Sequence, residues 1–259
     1  MNFPCRKDSD AVFSEMKKNS IFSMIILLIC FSACSSDMPW QDSRQCLVVV
    51  TEGWDSTAAR IYQLERHNGA WQEIRNFSGV IGRNGMAWGR GLHKPPEGEK
   101  QKIEGDGRTP AGIFALGSGF GKFPLRGLKW PYFQADSGHL CVDDPKSRYY
   151  NQIVHMSEIS DPDWDSAEKL LLSPSKVYDL AFVIEQNSNP VQSGSGSAIF
   201  FHIWNARRSG TAGCVSVSNI AVRAMLYWLE PESNPIIVIL PREQYEKYQD
   251  SWQLPKLAL

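Results

Sequence analysis

Short runs of apolar and β-branched residues recur along the chain, and turn-forming residues separate them. The clearest runs are CLVVVTEGW, RIYQLER, WQEIRNFSGVIG, KVYDLAFVIE, AIFFHIW and IIVILP. Runs of this kind are typical of strands that are buried on one or both faces. Their spacing does not follow the regular strand–helix alternation of a parallel α/β fold. The sequence therefore predicts a single mixed sheet or sandwich that is mainly β with a few short helices.

Three segments have helical features. Ser218 can cap a helix whose apolar residues follow at helical spacing, and Pro231 would end that helix. The segments REQYEKYQDSW and DWDSAEKLLL are each predicted to form a short helix.

The N-terminal region has the layout of a secretory signal. Two lysines follow Met16, an apolar run occupies residues 21–31, and small residues precede Cys34. The run is shorter than the roughly 20 residues that span a bilayer. Acidic residues before Met16 do not belong to such a signal, so we expect translation to start at Met16. FSAC at residues 31–34 is similar to a bacterial lipobox, so Cys34 is expected to carry lipid, with plain cleavage near Ala33 as the alternative.

These features predict three parts: a signal region at residues 1–33, a lipidated cysteine with a polar tether at 34–45, and a single folded domain at 46–259. A composition of 42% hydrophobic and 21% charged residues is that of a globular chain. A net charge of -1 provides no general attraction to nucleic acid or to an anionic membrane. The predicted signal indicates export, so the protein is expected in the cell envelope or periplasm. The lipid anchor is its only predicted membrane contact.

The cysteines of the predicted domain are odd in number, namely Cys46, Cys141 and Cys214. In an exported, disulfide-permissive domain, one of three thiols has no intramolecular partner. A disulfide between Cys46 and Cys141 would leave Cys214 free for chemistry. Two buried thiols at Cys46 and Cys141 are the alternative.

Cys214 and His202 lie close together in the stretch GSGSAIFFHIWNARRSGTAGCVSVS, residues 194–218. His202 ends a predicted strand, and Cys214 follows a glycine loop just before the predicted helix. A thiolate can attack a carbonyl, an imidazole can take and return the proton, and loop N–H groups can stabilise an oxyanion. This pattern indicates acyl transfer, although packed core side chains would use the same residue types. No cofactor is predicted, and no metal, because no second His or Cys stands at ligand spacing.

The segment HIWNARRSGTAGCVSVS, together with GDGRTPAGIFAL at residues 105–116, resembles the L,D-transpeptidase (YkuD-like) family. The likeness covers about residues 80–240 and extends to the branch with a TAGC active-site motif. It implies a β-rich sandwich with the active cysteine in a groove. It also implies an enzyme that attacks the L-to-D bond of a peptidoglycan tetrapeptide stem, releases D-alanine, and passes the acyl group to an amine in cell-wall remodelling or cross-linking.

Position by position, the resemblance implies that Cys214 is the nucleophile, His202 the proton donor and acceptor, and Gly213 and Thr211 members of the oxyanion loop. The sequence departs from the common family motif at Ala212, where the family has histidine. It also lacks the arginine or asparagine that follows the family cysteine. Candidates for binding the stem peptide instead are Arg207, Arg208, Arg90, Arg108 and Trp88. Solvated surface charges and ordinary packing are the alternatives for these residues.

Two other functions stay open on the sequence alone. The same acyl-enzyme could pass its acyl group to water, which would make the protein an L,D-carboxypeptidase or peptidase. The chain could also be a non-catalytic lipoprotein that binds the cell wall.

Overall fold

The computed structural model describes residues 38–171, 175–205 and 209–259. The strands in these ranges are β1 (Gln45–Thr51), β2 (Ala58–His67), β3 (Ala70–Val80), β4 (Met86–Trp88), β5 (Thr109–Gly121), β6 (Tyr132–Gln134), β7 (His139–Val142), β8 (Ile153–His155), β9 (Ala167–Lys169), β10 (Ala181–Ile184), β11 (Phe200–Ile203), β12 (Val215–Val217) and β13 (Ile236–Pro241). The helices are α1 (Asn219–Trp228) and α2 (Arg242–Tyr248), with short 3-10 turns at Met156–Glu158 and Pro231–Ser233.

The large sheet closes on itself. Its strands follow the order β10, β11, β12, β3, β2, β1, β13 and β5, and β5 pairs back to β10. Strands β4 and β6 pair with β5 outside this circuit, and a separate sheet has the order β8, β7, β9. The prediction of a mainly β chain with short helices is confirmed.

Strands β1 and β13 form the centre of the large sheet. They pair in parallel, and every residue of both strands is buried. Uninterrupted apolar runs such as CLVVV and IIVILP form strands of this kind because both of their faces are covered. Helix α2 packs against these two strands and buries Tyr245.

Helix α1 begins where the sequence predicts. The Ser218 hydroxyl accepts a hydrogen bond from the Ala221 N–H at 3.3 Å, which satisfies one of the N–H groups left free at a helix start. The helix ends at Trp228, shortly before Pro231. Its buried side packs Val222, among others, against the core.

The prediction of a helix in DWDSAEKLLL is wrong. Residues Ala167–Lys169 form strand β9, in which Glu168 pairs with Cys141 of β7. The Leu170 side chain that follows is fully buried. Pairing with β7 and burial of Leu170 therefore outweigh the helix-forming residues of this segment.

Pro39–Leu259 is one compact unit. The predicted signal region at residues 1–33 and the predicted lipidation site at Cys34 lie outside the described residues. Within residues 38–171, 175–205 and 209–259, the structure contains no helix with the length and apolar character needed to cross a bilayer.

An aromatic cluster packs beside the start of β5. The Trp88 side chain is 1% exposed, and its ring lies 5.8 Å from His93 and 6.3 Å from Trp252. His93 Nδ1 accepts a hydrogen bond from the Ile113 N–H at 3.1 Å. Burial lowers the pKa of His93 to about 4, so this imidazole is neutral at physiological pH. Trp88, a candidate for substrate binding from the sequence, is therefore a core residue.

Gly112 lets β5 pass directly over the His93 ring. A Cβ atom at this position would lie 1.8 Å from His93 Cε1, and the backbone φ is +139°. We expect Gly112→Ala to lower the free energy of unfolding by about 2–4 kcal/mol, because the ring must move and the backbone is strained. Gly53→Ala is the matched control, since nothing lies within 4 Å of its Cβ position. Urea denaturation measures both, and equal stability of the two variants would contradict the proposed close approach.

Candidate active site

Cys214 lies on a loop that directly precedes β12. The loop is anchored to the chain after β3: the Thr211 N–H donates to Ile81 O at 2.9 Å, and the Arg83 N–H donates to Thr211 O at 2.8 Å. The sequence predicts Cys214 on a loop just before a helix, and the structure adds a short strand between the two. Strand β12 and Ser218 separate it from helix α1. The dipole of that helix therefore does not act directly on the thiol, because the effect is confined to the first turn.

The Cys214 side chain is buried and turned toward the segment before β11. Its Sγ accepts a hydrogen bond from the Phe200 N–H at 3.3 Å and donates to Ala198 O at 3.4 Å. Burial raises the pKa of this thiol to about 12. The resting side chain is therefore a neutral thiol.

His202 lies on β11, the strand next to β12. The parallel register pairs His202 with Ser216, and Cys214 stands two residues before Ser216. Tyr178 lies beside both side chains, because its ring packs against His202 and belongs to the same buried cluster as Cys214. In the part of the chain that the structure describes, no hydrogen bond joins the two side chains directly.

The hydrogen bond made by His202 determines its tautomer. Nδ1 lies 2.7 Å from Ile203 O, and a carbonyl can only accept, so Nδ1 carries the proton. Nε2 of the neutral ring therefore holds the free electron pair that a general base needs. Burial lowers the pKa of His202 to about 4, so the ring is neutral at physiological pH. The Tyr178 ring packs edge-on against it with centroids 5.3 Å apart.

The Thr109 hydroxyl fixes the cysteine loop to the first strand residues of the TPAGIF motif. Oγ1 accepts a hydrogen bond from the Gly82 N–H at 2.8 Å and donates to Gly213 O at 2.7 Å. The Thr109 side chain is buried, and so is its hydrogen bond to the Gly213 carbonyl. This bridge spans more than a hundred residues of sequence and holds the backbone immediately before Cys214.

Thr211 and Gly213 shape the loop from within. The Thr211 hydroxyl donates to Cys214 O at 2.6 Å and accepts the Gly213 N–H at 3.1 Å. Gly213 has φ +148°, a conformation that favours glycine. The Gly213 N–H, a predicted oxyanion donor, is therefore engaged inside the loop in this conformation.

A cavity of about 210 Å³ opens beside Cys214. Charged and polar side chains from distant segments line it, namely Arg83, Lys102, Glu104, Asp143, Glu168 and Tyr178. The buried Lys102 ammonium is paired with Asp106 at 2.6 Å. Burial raises the pKa of Glu168, while a hydrogen bond from Tyr178 opposes that change. The cavity thus combines the Cys214 thiol with carboxylates and two basic side chains.

The family model of the L,D-transpeptidase catalytic domain, YkuD, matches residues 55–238. The chain belongs to this family. Members of this family act on peptidoglycan. The matched range contains both motifs and the cavity beside Cys214.

No curated protein matches the sequence. Among solved structures, Bd1075 of Bdellovibrio bacteriovorus is similar, with 16% sequence identity and a TM-score of 0.37. The match covers 82% of this L,D-transpeptidase-family chain and spans 55% of the Bdellovibrio chain. At this TM-score the two chains share too little structure for residue roles to be transferred.

Three of the predicted substrate-binding residues, Arg90, Arg108 and Trp88, do not line the cavity at Cys214. Arg90 lines a different cavity of about 520 Å³, beside His93 and Glu185. The Arg108 guanidinium pairs with Asp55 at 2.9 Å. Arg207 and Arg208 lie outside the described residues, and Trp88 is in the core described above.

Sequence reasoning missed the residues that line the cavity. Lys102 and Glu104 stand shortly before the TPAGIF motif, which is the one sequence signal that could have indicated them. Asp143 and Glu168 come from the small sheet and carry no motif. Only the folded chain brings these two carboxylates to Cys214.

The predicted disulfide between Cys46 and Cys141 is absent. Cys46, Cys141 and Cys214 are all buried free thiols. Cys46 lies in β1, opposite Leu64 of β2. Cys141 lies in β7 and packs in the same apolar cluster as Cys214. The two residues belong to different sheets, and the alternative of two buried thiols is the one observed.

Replacing Thr109 tests the bridge to the cysteine loop. Thr109→Val keeps the shape of the side chain but leaves the Gly82 N–H and the Gly213 carbonyl without their partner. We expect a loss of about 2–4 kcal/mol in the free energy of unfolding. Thr109→Ser retains the hydroxyl and is the matched control, with an expected loss of about 1 kcal/mol for the missing methyl group. Denaturation in urea gives both values, and equal losses would show that the hydroxyl contributes little.

The raised pKa of Cys214 predicts slow alkylation at neutral pH. A thiol with a pKa of about 12 is scarcely ionised at pH 8, so iodoacetamide should modify Cys214 at least ~100-fold more slowly than free cysteine. The rate should keep rising as the pH increases through 9 and 10. Mass mapping of the Cys214 peptide measures it. Fast labelling that is already constant between pH 6 and 8 would instead indicate a thiolate–imidazolium pair in the resting enzyme.

Proposed function

We propose that the protein is a peptidoglycan L,D-transpeptidase in which Cys214 is the nucleophile and His202 carries the proton. The observation that supports this proposal best is the position of Cys214. It lies at a cavity, on a loop that Thr109 fixes to the sheet, and in a buried cluster with Tyr178, whose ring also packs against His202. These are the parts that a cysteine acyl transfer requires.

In the first half-reaction, the Cys214 proton moves to His202 Nε2 while Sγ forms a bond to the carbonyl carbon of the L-to-D peptide bond. The resulting tetrahedral oxyanion collapses, the carbon–nitrogen bond breaks, and the imidazolium returns its proton to the departing D-alanine amine. The products are a Cys214 thioester and free D-alanine. The imidazole is neutral again at the end of this half-reaction, so it can act as a base a second time.

The pKa values constrain the timing of proton transfer. The Cys214 thiol has a pKa of about 12 and the His202 imidazole a pKa of about 4, both because of burial. A separated thiolate and imidazolium are therefore strongly disfavoured in the resting site. We infer that proton transfer accompanies the attack on the carbonyl, when the negative charge moves from sulfur to the oxyanion.

In the second half-reaction, the nitrogen of an acceptor amine attacks the thioester carbonyl, and His202 Nε2 accepts the proton that this nitrogen loses. Collapse of the intermediate breaks the carbon–sulfur bond, and the His202 imidazolium returns its proton to Sγ, which restores the Cys214 thiol. We propose an amine rather than water as the acceptor, because the carboxylates of Glu104, Asp143 and Glu168 line the cavity and would attract an amine-bearing group. The cations Arg83 and Lys102 also line it, and Lys102 is paired with Asp106.

We also propose that the enzyme works in the cell envelope. The signal layout after Met16 and the FSAC boundary at residues 31–34 support export and a lipid anchor at Cys34. Such an anchor would hold the catalytic domain next to the peptidoglycan. Its polar tether would let the domain reach the stem peptides.

Two substitutions test the assignment of the catalytic residues. Cys214→Ala should abolish turnover of disaccharide-tetrapeptides, because no thioester can form. His202→Ala should lower the rate at least ~100-fold, because the proton carrier is lost. Cys46→Ala is the matched control: it shortens another buried cysteine, in β1, and should reduce stability while leaving the rate of the folded fraction unchanged.

Mass analysis of the products separates the possible outcomes. Cross-linked dimers support the transpeptidase, whereas tripeptides alone would indicate that water is the acceptor. Melting temperatures measured in parallel keep loss of folding apart from loss of chemistry. Turnover at the parent rate by folded Cys214→Ala would overturn the proposal and leave a wall-binding lipoprotein as the better interpretation.

A further inference from the structure

Two histidines and an aspartate converge on the small sheet, outside the cavity at Cys214. His139 of β7 pairs directly with His155 of β8, and their rings are 4.6 Å apart between centroids. Asp136 precedes β7 on the turn that leads into it. These side chains are partly exposed and are not used in the proposed reaction.

One carboxylate oxygen contacts both imidazoles. Asp136 Oδ1 lies 3.0 Å from His139 Nδ1 and 3.1 Å from His155 Nε2, and the three candidate ligand atoms all lie within 4.8 Å of one another. A tetrahedral Zn²⁺ ion with bonds of about 2.0–2.1 Å places its ligand atoms about 3.3–3.4 Å apart. The two Asp136–imidazole distances would lengthen by a few tenths of an ångström around such an ion, and the two imidazole nitrogens, which lie within 4.8 Å of each other, would adjust to the same spacing.

Neighbouring groups orient these ligands. Ser157 Oγ lies 2.6 Å from His155 Nδ1, and the Ser157 N–H donates to the same nitrogen at 3.3 Å, so Nδ1 is an acceptor in this structure. An ion on Nε2 requires the other tautomer, in which Nδ1 carries the proton and donates it to Ser157 Oγ. The Gly138 N–H donates to Asp136 Oδ1 at 2.8 Å and helps to orient the carboxylate. The Asp136 N–H also donates to His139 Nδ1 at 3.2 Å, and this hydrogen bond would break when an ion binds that nitrogen.

Glycine is required at position 138 by the same cluster. A Cβ atom there would lie 2.5 Å from His155 Nε2, so any larger residue would push the ring away from Asp136. On the other side, the Phe133 ring stacks on His139 with centroids 5.0 Å apart. Both imidazoles are thus held in place by packing as well as by hydrogen bonds.

We propose that Asp136, His139 and His155 form a binding site for a first-row divalent metal ion of the zinc type. Two imidazole nitrogens and one carboxylate oxygen are ligands that Zn²⁺ and its neighbours prefer, while Mg²⁺ and Ca²⁺ prefer oxygen alone. Water would complete the coordination. This proposal concerns the small sheet and is independent of the reaction at Cys214.

A bound ion would brace the sheet that borders the active-site cavity. It would link the turn before β7 to the end of β8. Strand β7 contains Cys141, which packs in the apolar cluster of Cys214, and it runs directly into Asp143, which lines the cavity. We therefore assign the ion a structural role that stabilises the small sheet.

Titration of the full-length protein with zinc chloride tests the site. We expect one ion per chain at this site and a melting temperature that rises with zinc. His139→Gln, His155→Gln and Asp136→Asn should each weaken binding at least ~10-fold and remove the zinc-dependent rise. His67→Gln is the matched control, because His67 also lies 3.0 Å from a carboxylate, that of Glu65, but outside this cluster. It should bind zinc like the parent protein.

Cobalt spectra distinguish this site from cysteine ligands elsewhere in the chain. Co²⁺ bound to nitrogen and oxygen gives visible bands without the intense near-ultraviolet band of a cobalt–thiolate bond. Melting curves without metal show whether each variant folds, and Asp136→Asn preserves the side-chain size if a histidine variant does not. Zinc binding that is unchanged in folded Asp136→Asn and His139→Gln, a thiolate band on the only bound ion, or no binding by the parent protein would each overturn the proposal.

Discussion

The hydroxyl of Thr109 joins three chain segments that are far apart in the sequence. It accepts the Gly82 N–H, donates to the Gly213 carbonyl, and stands at the first position of β5. Strand β5 pairs with β13, with β10 and with β4, so it is among the most constrained elements of the large sheet. The Thr109 side chain links the backbone before Cys214 to β5, and the backbone bonds of Thr211 link it to the segment after β3. A loop held in this way can present a nucleophile in one geometry, which loop residues alone seldom achieve.

Burial controls the chemistry of the two motif side chains. It raises the pKa of Cys214 and lowers that of His202, so both are neutral before substrate arrives. A neutral, enclosed thiol is a poor target for oxidants, because thiolate is the reactive form. The same burial strengthens any interaction with an oxyanion that forms in the site. The proposed enzyme would thus be stable in an oxidising compartment and reactive only with a bound carbonyl.

Local sequence patterns predicted those features that depend on neighbouring residues. The capping hydroxyl of Ser218, the buried run of β1, and the loop that carries Cys214 are all of this kind. The patterns failed where distant pairing decides the outcome. Glu168 lies in a segment of helix-forming residues, yet it forms a strand because β7 offers an edge. Trp88 is a candidate for substrate binding from the sequence, but aromatic rings from the end of the chain enclose it. The local spacing of residue types does not predict such long-range contacts.

The small sheet contributes residues to the cavity that neither sequence motif contains. It lies between β6 and β10 in the sequence, and it supplies Asp143 and Glu168 to the cavity beside Cys214. In the proposed reaction Cys214 and His202 perform the acyl chemistry, and these two carboxylates line the cavity that an acceptor would enter. Selection among acceptors depends on differences in contacts at that place rather than on the nucleophile. Chains with the same cysteine and histidine could therefore transfer the acyl group to different acceptors if the residues of their small sheets differ. The fold and the motif alone do not determine the acceptor.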